Sequence, residues 1–255
     1  MAGGSLLLDV GNTRLKWGVL ERKKIARTGS IRLAELQESG FNALTTRLPR
    51  EIESILVCNV AGPGFAARLT GVLGIHYDIE TRFARSEKSA YGIINSYRQP
   101  RRLGVDRWAA MIGARSESKS ALCVVDAGTA VTIDAIDRQG QHLGGQIIPG
   151  LHIMTKSLTN HTNGVSGLGK RTIDPGKGMA LFANGTGRAV QTGALNAVCG
   201  AIERAVRTLR AEGYRPGIVL TGGGASRILK QLEGKVIHRP HLVLQGLAFM
   251  LQNQS

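Results

Sequence analysis

One short pattern occurs twice in this sequence and constrains the fold more than any other feature. An apolar run leads into the letters DVGNT at 9–13, and a second apolar run follows. The arrangement returns at 121–136, where ALCVV precedes DAGTA and VTIDAI comes after it. Apolar runs separated by a glycine turn are typical of paired strands. The repeat distance far exceeds that of solenoid proteins, so we expect a duplicated α/β fold with halves at 1–117 and 118–255.

Further segments fit this plan in each half. A buried strand is predicted at 52–60, and a helix is predicted to start within 104–115. Apolar residues at helical spacing fill 191–212, and Gly213 follows as a C-cap. Two such halves would enclose a cleft, where ligands commonly bind. Residues 155–190, rich in Gly, Thr, Asn and Lys, fit the plan least and are predicted to form a long loop or insertion.

Composition excludes several classes of protein. The three cysteines, Cys58, Cys123 and Cys199, are isolated, so neither a disulfide scaffold nor a structural zinc site is expected. No apolar run approaches the length of a membrane span, and no signal peptide is visible, so we expect a cytoplasmic protein. The stretch 164–172 resembles a P-loop, but Arg171 stands where Ser or Thr is required and no apolar strand precedes it, so a Walker-type NTPase is not expected.

The charge admits more than one interpretation. The chain has 33 Lys+Arg against 18 Asp+Glu, a net charge of +15, which by itself suggests nucleic acid or an anionic membrane surface. The basic residues are scattered, however, and the densest run is 98–102. No basic stripe alternates with aromatic residues. An anionic small substrate or a solvated basic surface explains the charge at least as well.

Each glycine turn has a chemical and a purely structural interpretation. A glycine at the tip of a hairpin lets backbone N–H groups approach an anion, and Asp9 at a strand end could hold Mg²⁺ beside phosphates. An ordinary turn with local hydrogen bonds explains 9–13 equally well. The presence of two such turns, one at the start of each half, favours a site that binds a triphosphate and its metal ion. The glycines of 221–224 admit the same two interpretations.

The letters GVDRW at 104–108 stand at the predicted helix start. Asp106 could accept the proton of a substrate hydroxyl, and Arg107 could bind an anionic group such as a carboxylate. The local sequence alone favours a simpler interpretation, with Asp106 as a helix N-cap and Arg107 as a solvated charge.

Taken together, these segments resemble the type III pantothenate kinase family. The resemblance rests on LLLDVGNTRLKWG, on Tyr97 followed by LGVDRW, and on VVDAGTAVTID, GGQIIPGL and VLTGGGA, in the family's order across nearly the whole chain. It implies the actin-like ATPase and sugar kinase fold, with two duplicated ribonuclease-H-like halves around a central cleft. It also implies phosphorylation of pantothenate by ATP, the first step of coenzyme A synthesis.

The resemblance further implies a role for each matching residue. Asp106 would be the general base, Asp9 would lie near Mg²⁺, and Asp126 would bind a monovalent cation, K⁺ or NH₄⁺. Thr186 would contact substrate at a site shared with the other subunit of a homodimer. The implied ATP-binding residues are Asp9, Val10, Gly11, Asn12, Thr13, Arg14, Leu15, Lys16 and Thr129, and the implied pantothenate-binding residues are Tyr97, Gly104, Val105, Asp106, Arg107 and Thr186.

Two alternatives remain open at this stage. One is a regulatory or nucleic-acid-associated accessory factor that keeps the kinase fold, although no helix-turn-helix signature or aromatic platform supports it. The other is a kinase for a different hydroxylated acceptor. We expect pantothenate and ATP as the partners, with no membrane and no specific nucleic acid.

Overall fold

The chain forms two compact units in a computed structural model that describes residues 3–161 and 181–253. The first unit comprises Met1–Lys119, Gln139–Gln141 and His241–Ser255, and the second comprises Ser120–Arg138 and His142–Pro240. The halves expected from the sequence, 1–117 and 118–255, stay a prediction. The P-loop-like stretch at 164–172 lies outside the described residues.

The first unit is built on a five-stranded sheet of order β3-β2-β1-β4-β5. β1 pairs antiparallel with β2 and parallel with β4. A short hairpin, β6 and β7, and a single 3₁₀ turn at Pro100–Arg102 precede the fourth helix. The elements are β1 (Gly4–Val10), β2 (Arg14–Glu21), β3 (Lys24–Arg32), α1 (Leu33–Ser39), α2 (Asn42–Thr45), β4 (Ile52–Asn59), α3 (Pro63–Tyr77), β5 (Thr81–Phe83), β6 (Ser89–Ala90), β7 (Ile93–Ile94), α4 (Val105–Glu117) and α8 (Leu242–Gln252).

The second unit repeats this sheet. Its strand order is β10-β9-β8-β11-β12, with β8 antiparallel to β9 and parallel to β11. Because each strand has the same neighbours and directions as its counterpart in the first unit, the predicted duplicated α/β fold is confirmed. The elements are β8 (Leu122–Ala127), β9 (Ala130–Ile136), β10 (His142–Pro149), α5 (Leu151–His161), α6 (Thr186–Ala211), β11 (Gly217–Thr221), α7 (Ala225–Leu229) and β12 (Val236–His238).

Each sheet has its own apolar core. In the first unit Leu6 and Leu8 of β1 pack in a cluster with α3 residues such as Leu69 and Leu73. Alternate residues of a strand point to opposite faces, so Leu7 lies on the other face, where α8 packs against β1. In the second unit β8 packs against α6.

Two glycines allow α4 and α8 to pack backbone to backbone in the first unit. A Cβ added at Gly246 would overlap the carbonyl group of Ala109, and one added at Gly113 would lie 2.5 Å from the Leu242 carbonyl oxygen. At a third position, a Cβ on Gly18 of β2 would lie 3.3 Å from Leu244 Cδ1. Residues larger than glycine would therefore push α8 away from both the sheet and α4.

The structure confirms two predicted helices and contradicts the predicted loop at 155–190. α4 and α6 are confirmed, and Gly213 follows α6 with a φ of 88°, as expected for a glycine after a helix C-terminus. The predicted loop at 155–190 is wrong at both ends, because α5 continues to His161 and α6 begins at Thr186. None of the helices that the described residues form is long and apolar enough to cross a membrane.

The helix packing yields a first prediction. Gly246→Ala will lower the free energy of unfolding by about 1–3 kcal/mol, because the new methyl group must displace α4. Denaturant unfolding measures the change. Gly200→Ala is the matched control, since among the described residues its added Cβ in α6 would have no heavy atom within 4 Å beyond its chain neighbours and the adjacent helix backbone. Alanine favours helix there, so the control will be neutral or stabilising by up to about 1 kcal/mol. Equal losses in both variants would contradict the packing argument.

Candidate active site

The first glycine turn connects β1 to β2 at the end of two buried strands. Its chain reversal is closed by the Gly11 amide, which donates to the Arg14 carbonyl oxygen at 3.0 Å. Asn12, Thr13 and Arg14 are exposed, whereas Val10 and Leu15 are fully buried in the apolar core. The exposed backbone and side chains of the turn, rather than Val10 and Leu15, are therefore the groups available to a ligand.

Charged side chains lie just behind this turn. Asp9 is 8% exposed, and its Oδ2 atom lies 3.9 Å from Lys16 Nζ. His241 lies near enough to Lys16 to be affected by its charge: burial first, and then Lys16, lower the His241 pKa. A lowered pKa keeps His241 neutral at pH 7. The sequence indicates a turn or surface residue at His241, and the structure places it, exposed, at the N-cap of α8. Its proximity to Lys16 could not be predicted, because most of the chain separates the two residues.

The second glycine turn connects β8 to β9 in the second unit. The Gly128 amide donates to the Ala130 carbonyl oxygen at 3.0 Å, and Gly128 and Thr129 are exposed at the tip. Glycines border the turn on two sides: the Gly150 amide donates to Thr129 O at 2.9 Å, and the Gly224 amide donates to Ala127 O at 2.9 Å.

Asp126 lies directly beside Gly222 at the base of this second turn. A Cβ at Gly222, whose φ is 93°, would overlap Asp126 Oδ1 and approach the Ala127 carbonyl oxygen to 2.6 Å. The close approach explains why glycine is needed there, and it shows that Asp126 Oδ1 and the Ala127 carbonyl oxygen both lie against the Gly222 backbone. Carboxylate and carbonyl oxygens are the ligands that hard cations prefer.

The donor set fits loosely held cations better than a closed metal site. Within residues 3–161 and 181–253, no three His, Cys, Asp or Glu side chains gather as metal ligands. Mg²⁺ in phosphate-transferring proteins is often held by one or two carboxylates, waters and the substrate phosphates. Asp9, beside the first turn, supplies one such carboxylate.

A third group of residues assembles in the first unit at the start of α4. Arg107 Nη1 donates to the Tyr97 hydroxyl oxygen at 3.0 Å, and the guanidinium carbon lies 5.7 Å from the centre of the Tyr97 ring. Asp106 precedes Arg107, and its Oδ1 accepts the Arg107 backbone N–H at 2.8 Å. The structure thus brings together Tyr97, Gly104, Val105, Asp106 and Arg107.

This geometry excludes the simpler interpretation of the motif. The N-cap of α4 is Gly104, and Asp106 is the second residue inside the helix. Arg107 is only 6% exposed, so it is not a solvated charge. A buried guanidinium held by a neighbouring hydroxyl and ring is oriented in advance to bind a planar anion such as a carboxylate.

Thr186 lies in a different unit from this group. It is the exposed first residue of α6 and belongs to the second unit, whereas Tyr97 and Arg107 belong to the first. Leu181 and Phe182, a few residues before it, expose most of their apolar surface, 63% and 83%.

The cysteines offer no nucleophile. All three are buried, and burial, with a smaller contribution from the negative charge of Asp134, raises the pKa of Cys123 to about 12. A thiol with so high a pKa is almost entirely protonated at pH 7 and unreactive. Cys123 is therefore an inert core thiol.

Comparison with known proteins adds family information to this geometry. A sequence model of the family described as type III pantothenate kinase matches residues 5–208. The type III pantothenate kinase of Nitrosococcus oceani is 36% identical, covering 98% of this chain and 94% of that protein. The enzyme of that name from Azoarcus sp. is also 36% identical, covering 95% and 89%.

Solved structures support the fold. A conserved putative Baf family transcriptional activator from Campylobacter jejuni superposes with a TM-score of 0.60 at 19% identity, covering 97% of this chain and 98% of its own. A putative 2-dehydro-3-deoxygalactonokinase from Sinorhizobium meliloti gives 0.58 at 14% identity, covering 98% and 100%. At these identities the likeness shows the fold alone, which is the expected sugar kinase fold.

The contact between Tyr97 and Arg107 yields a second prediction. Tyr97→Phe removes only the hydroxyl that accepts from Arg107, and it will lower the free energy of unfolding by about 1 kcal/mol. Tyr97→Leu removes the ring as well and will lower it further, by about 1 kcal/mol more. Denaturant unfolding of both variants separates the two contributions. Equal stabilities of the wild type and Tyr97→Phe would contradict the hydrogen bond.

Proposed function

We propose that this chain, which belongs to the type III pantothenate kinase family, phosphorylates pantothenate with ATP to give 4′-phosphopantothenate. The chain is a kinase, and this reaction would make it the first enzyme of coenzyme A synthesis. The observation that supports the proposal most strongly is the group formed by Tyr97, Asp106 and Arg107, which offers a base for a hydroxyl beside a clamp for a carboxylate. Pantothenate has both of these groups.

On the acceptor side, the buried Arg107 guanidinium would bind the pantothenate carboxylate, and Tyr97 would limit the guanidinium to one orientation. The Asp106 carboxylate would accept the proton of the primary hydroxyl. The hydroxyl oxygen then forms a bond to the γ-phosphorus, the bond from that phosphorus to the β–γ bridging oxygen breaks, and ADP leaves with the electron pair. Gly104 and Val105 would contact the substrate through their backbone.

On the phosphate side, the turn from Asp9 to Lys16 would bind ATP through exposed N–H groups and the side chains of Asn12 and Thr13. Thr129, exposed at the tip of the second turn, would also contact ATP phosphates. Phosphoryl transfer depends on positioning and on neutralising charge rather than on covalent catalysis. Rigid turns lined by glycine are suited to that task.

Two cations would complete the charge balance. Asp9 would hold Mg²⁺ next to the phosphates, and Asp126, which lies beside Gly222, would hold K⁺ or NH₄⁺. When bound, these cations would neutralise negative charge on the transferring phosphoryl group. The basic surface of the chain would favour capture of two anionic substrates.

A homodimer and a cytoplasmic location are also part of the proposal. The second unit exposes apolar side chains on the edge strand β10 and on α5, as well as Leu181 and Phe182 before α6. Apolar surface of this kind commonly marks a protein interface, and a second copy would cover it close to Thr186. The exposed residues are Leu143, Ile147, Ile153, Leu158, Leu181 and Phe182.

Asp106 provides the decisive test. Asp106→Asn will lower kcat about 100-fold or more, because general-base catalysis typically contributes that much. The assay measures ADP release with and without pantothenate. Asp78→Asn is the control: Asp78 is an exposed carboxylate after α3 with a φ of 55°, which Asn tolerates well. An unchanged rate in Asp106→Asn would remove the general base, and no pantothenate-dependent ADP release by the wild type would overturn the function.

The proposed cation site gives a separate prediction. Replacing K⁺ with Na⁺ at constant ionic strength will lower the pantothenate-dependent rate of the wild type, because the smaller Na⁺ would bind less well at Asp126. Asp126→Asn will be slower in K⁺ and will respond little to the exchange. Initial rates in the two salts measure both effects. A full K⁺ response retained by Asp126→Asn would place the cation elsewhere.

A further inference from the structure

A buried asparagine ties together the segment that precedes α4. Asn95 is 0% exposed. Its Nδ2 donates to the carbonyl oxygens of Glu87 and Pro100, each at 3.1 Å, and its Oδ1 accepts the Tyr97 backbone N–H at 3.0 Å. The partners fix the orientation of the amide, since carbonyl oxygens can only accept and a backbone N–H can only donate.

The backbone of Asn95 is equally engaged. Its N–H donates to the Lys88 carbonyl oxygen at 2.9 Å, and its carbonyl oxygen accepts from Lys88 Nζ at 3.2 Å. A second buried side chain adds one more tie, as Ser86 Oγ donates to the Leu103 carbonyl oxygen at 2.9 Å. The residues before the β6–β7 hairpin are thus bonded to those after it in two places, Lys88 to Asn95 and Ser86 to Leu103.

These bonds hold the backbone next to Tyr97, a residue of the candidate site. Tyr97 lies two residues after Asn95, and its own backbone N–H is held by the Asn95 side chain. Pro100 begins the 3₁₀ turn that leads to Gly104, the N-cap of α4. Asn95 therefore fixes the backbone on both sides of the Tyr97 side chain, whose hydroxyl lies 3.0 Å from Arg107 Nη1.

We propose that Asn95 is a positioning residue for the acceptor side of the site: it holds Tyr97 in contact with Arg107 and so sets the orientation of the guanidinium that binds the acceptor's carboxylate. This inference rests on the proposed function. The Asn95 side chain bonds to its own segment, at Glu87, Tyr97 and Pro100. Its effect is transmitted through the Tyr97 backbone, the Tyr97 ring and the Arg107 guanidinium, in that order.

Two substitutions separate the roles of the amide. Asn95→Ala removes all three side-chain hydrogen bonds. Asn95→Asp keeps an acceptor for the Tyr97 N–H but turns a carboxylate oxygen toward the Glu87 and Pro100 carbonyl oxygens, which repel it. The matched control is Leu73→Ala in α3. Leu73 is a core residue of the same unit whose apolar side chain forms no hydrogen bonds, so its truncation destabilises the fold by loss of packing alone.

The kinetic readout is the KM for pantothenate measured separately from the KM for ATP, at a temperature where every variant is folded. Asn95→Ala will raise the KM for pantothenate about tenfold or more, since small displacements of a binding group have effects of that size. Asn95→Asp will do at least as much. The KM for ATP will stay at the wild-type value in both, and Leu73→Ala will lower the melting temperature without changing either KM.

Hydrogen exchange measured by mass spectrometry provides a readout that does not depend on activity. Peptides covering 84–104 will exchange faster in Asn95→Ala than in the wild type, while peptides from β1 and β2 will not. An unchanged pantothenate KM in Asn95→Ala, an equal rise in Leu73→Ala, or unchanged exchange in 84–104 would each overturn the inference. A wild type with no pantothenate-dependent ADP release overturns the proposed function instead, and the exchange data then still decide whether Asn95 holds the Tyr97 segment.

Discussion

The contact between α4 and α8 is the constraint on which the acceptor side of the site depends. Gly113 and Gly246 allow the two helix backbones to approach at a distance that no other residue permits. Asp106 and Arg107 lie in the first turn of α4, so the position of that helix determines where the proposed base and the proposed carboxylate-binding group lie. The fully buried side chain of Trp108 follows them and holds the same turn in the core.

The same helix also supports the phosphate turn. α8 packs against β1, the strand that leads into Asp9 and the turn after it, and Gly18 of β2 makes room for Leu244 of α8. Within the first unit, the turn proposed for phosphates and the clamp proposed for the carboxylate therefore share one packing partner. A rigid, close-packed interior of this kind transmits small displacements rather than absorbing them. The Asn95 network adds polar ties to a segment that has little regular secondary structure.

The sequence predicts much of this fold, and the reasons for its failures are physical. Both glycine turns, α4, α6 and the duplicated sheets follow from local patterns, because apolar periodicity and turn residues act over a few positions. The association of α8 with the first unit does not follow, since it depends on contacts between residues far apart in the chain. The burial of Arg107 was missed for the same reason: its partner Tyr97 lies outside the helix. Asn95 has no periodic signal at all, because a polar residue is recognised as buried only once its partners are known.

The division of the first unit between two distant parts of the chain has a consequence for how the protein acquires its shape during synthesis. The ribosome must produce all of His142–Pro240 before α8 exists. Until then one face of β1 is uncovered and α4 lacks its packing partner α8, so these elements of the first unit keep apolar surface exposed. Domains of most proteins fold from the N-terminus as they emerge. Here synthesis begins with the first unit, but that unit can be completed only after the whole second unit has been synthesised.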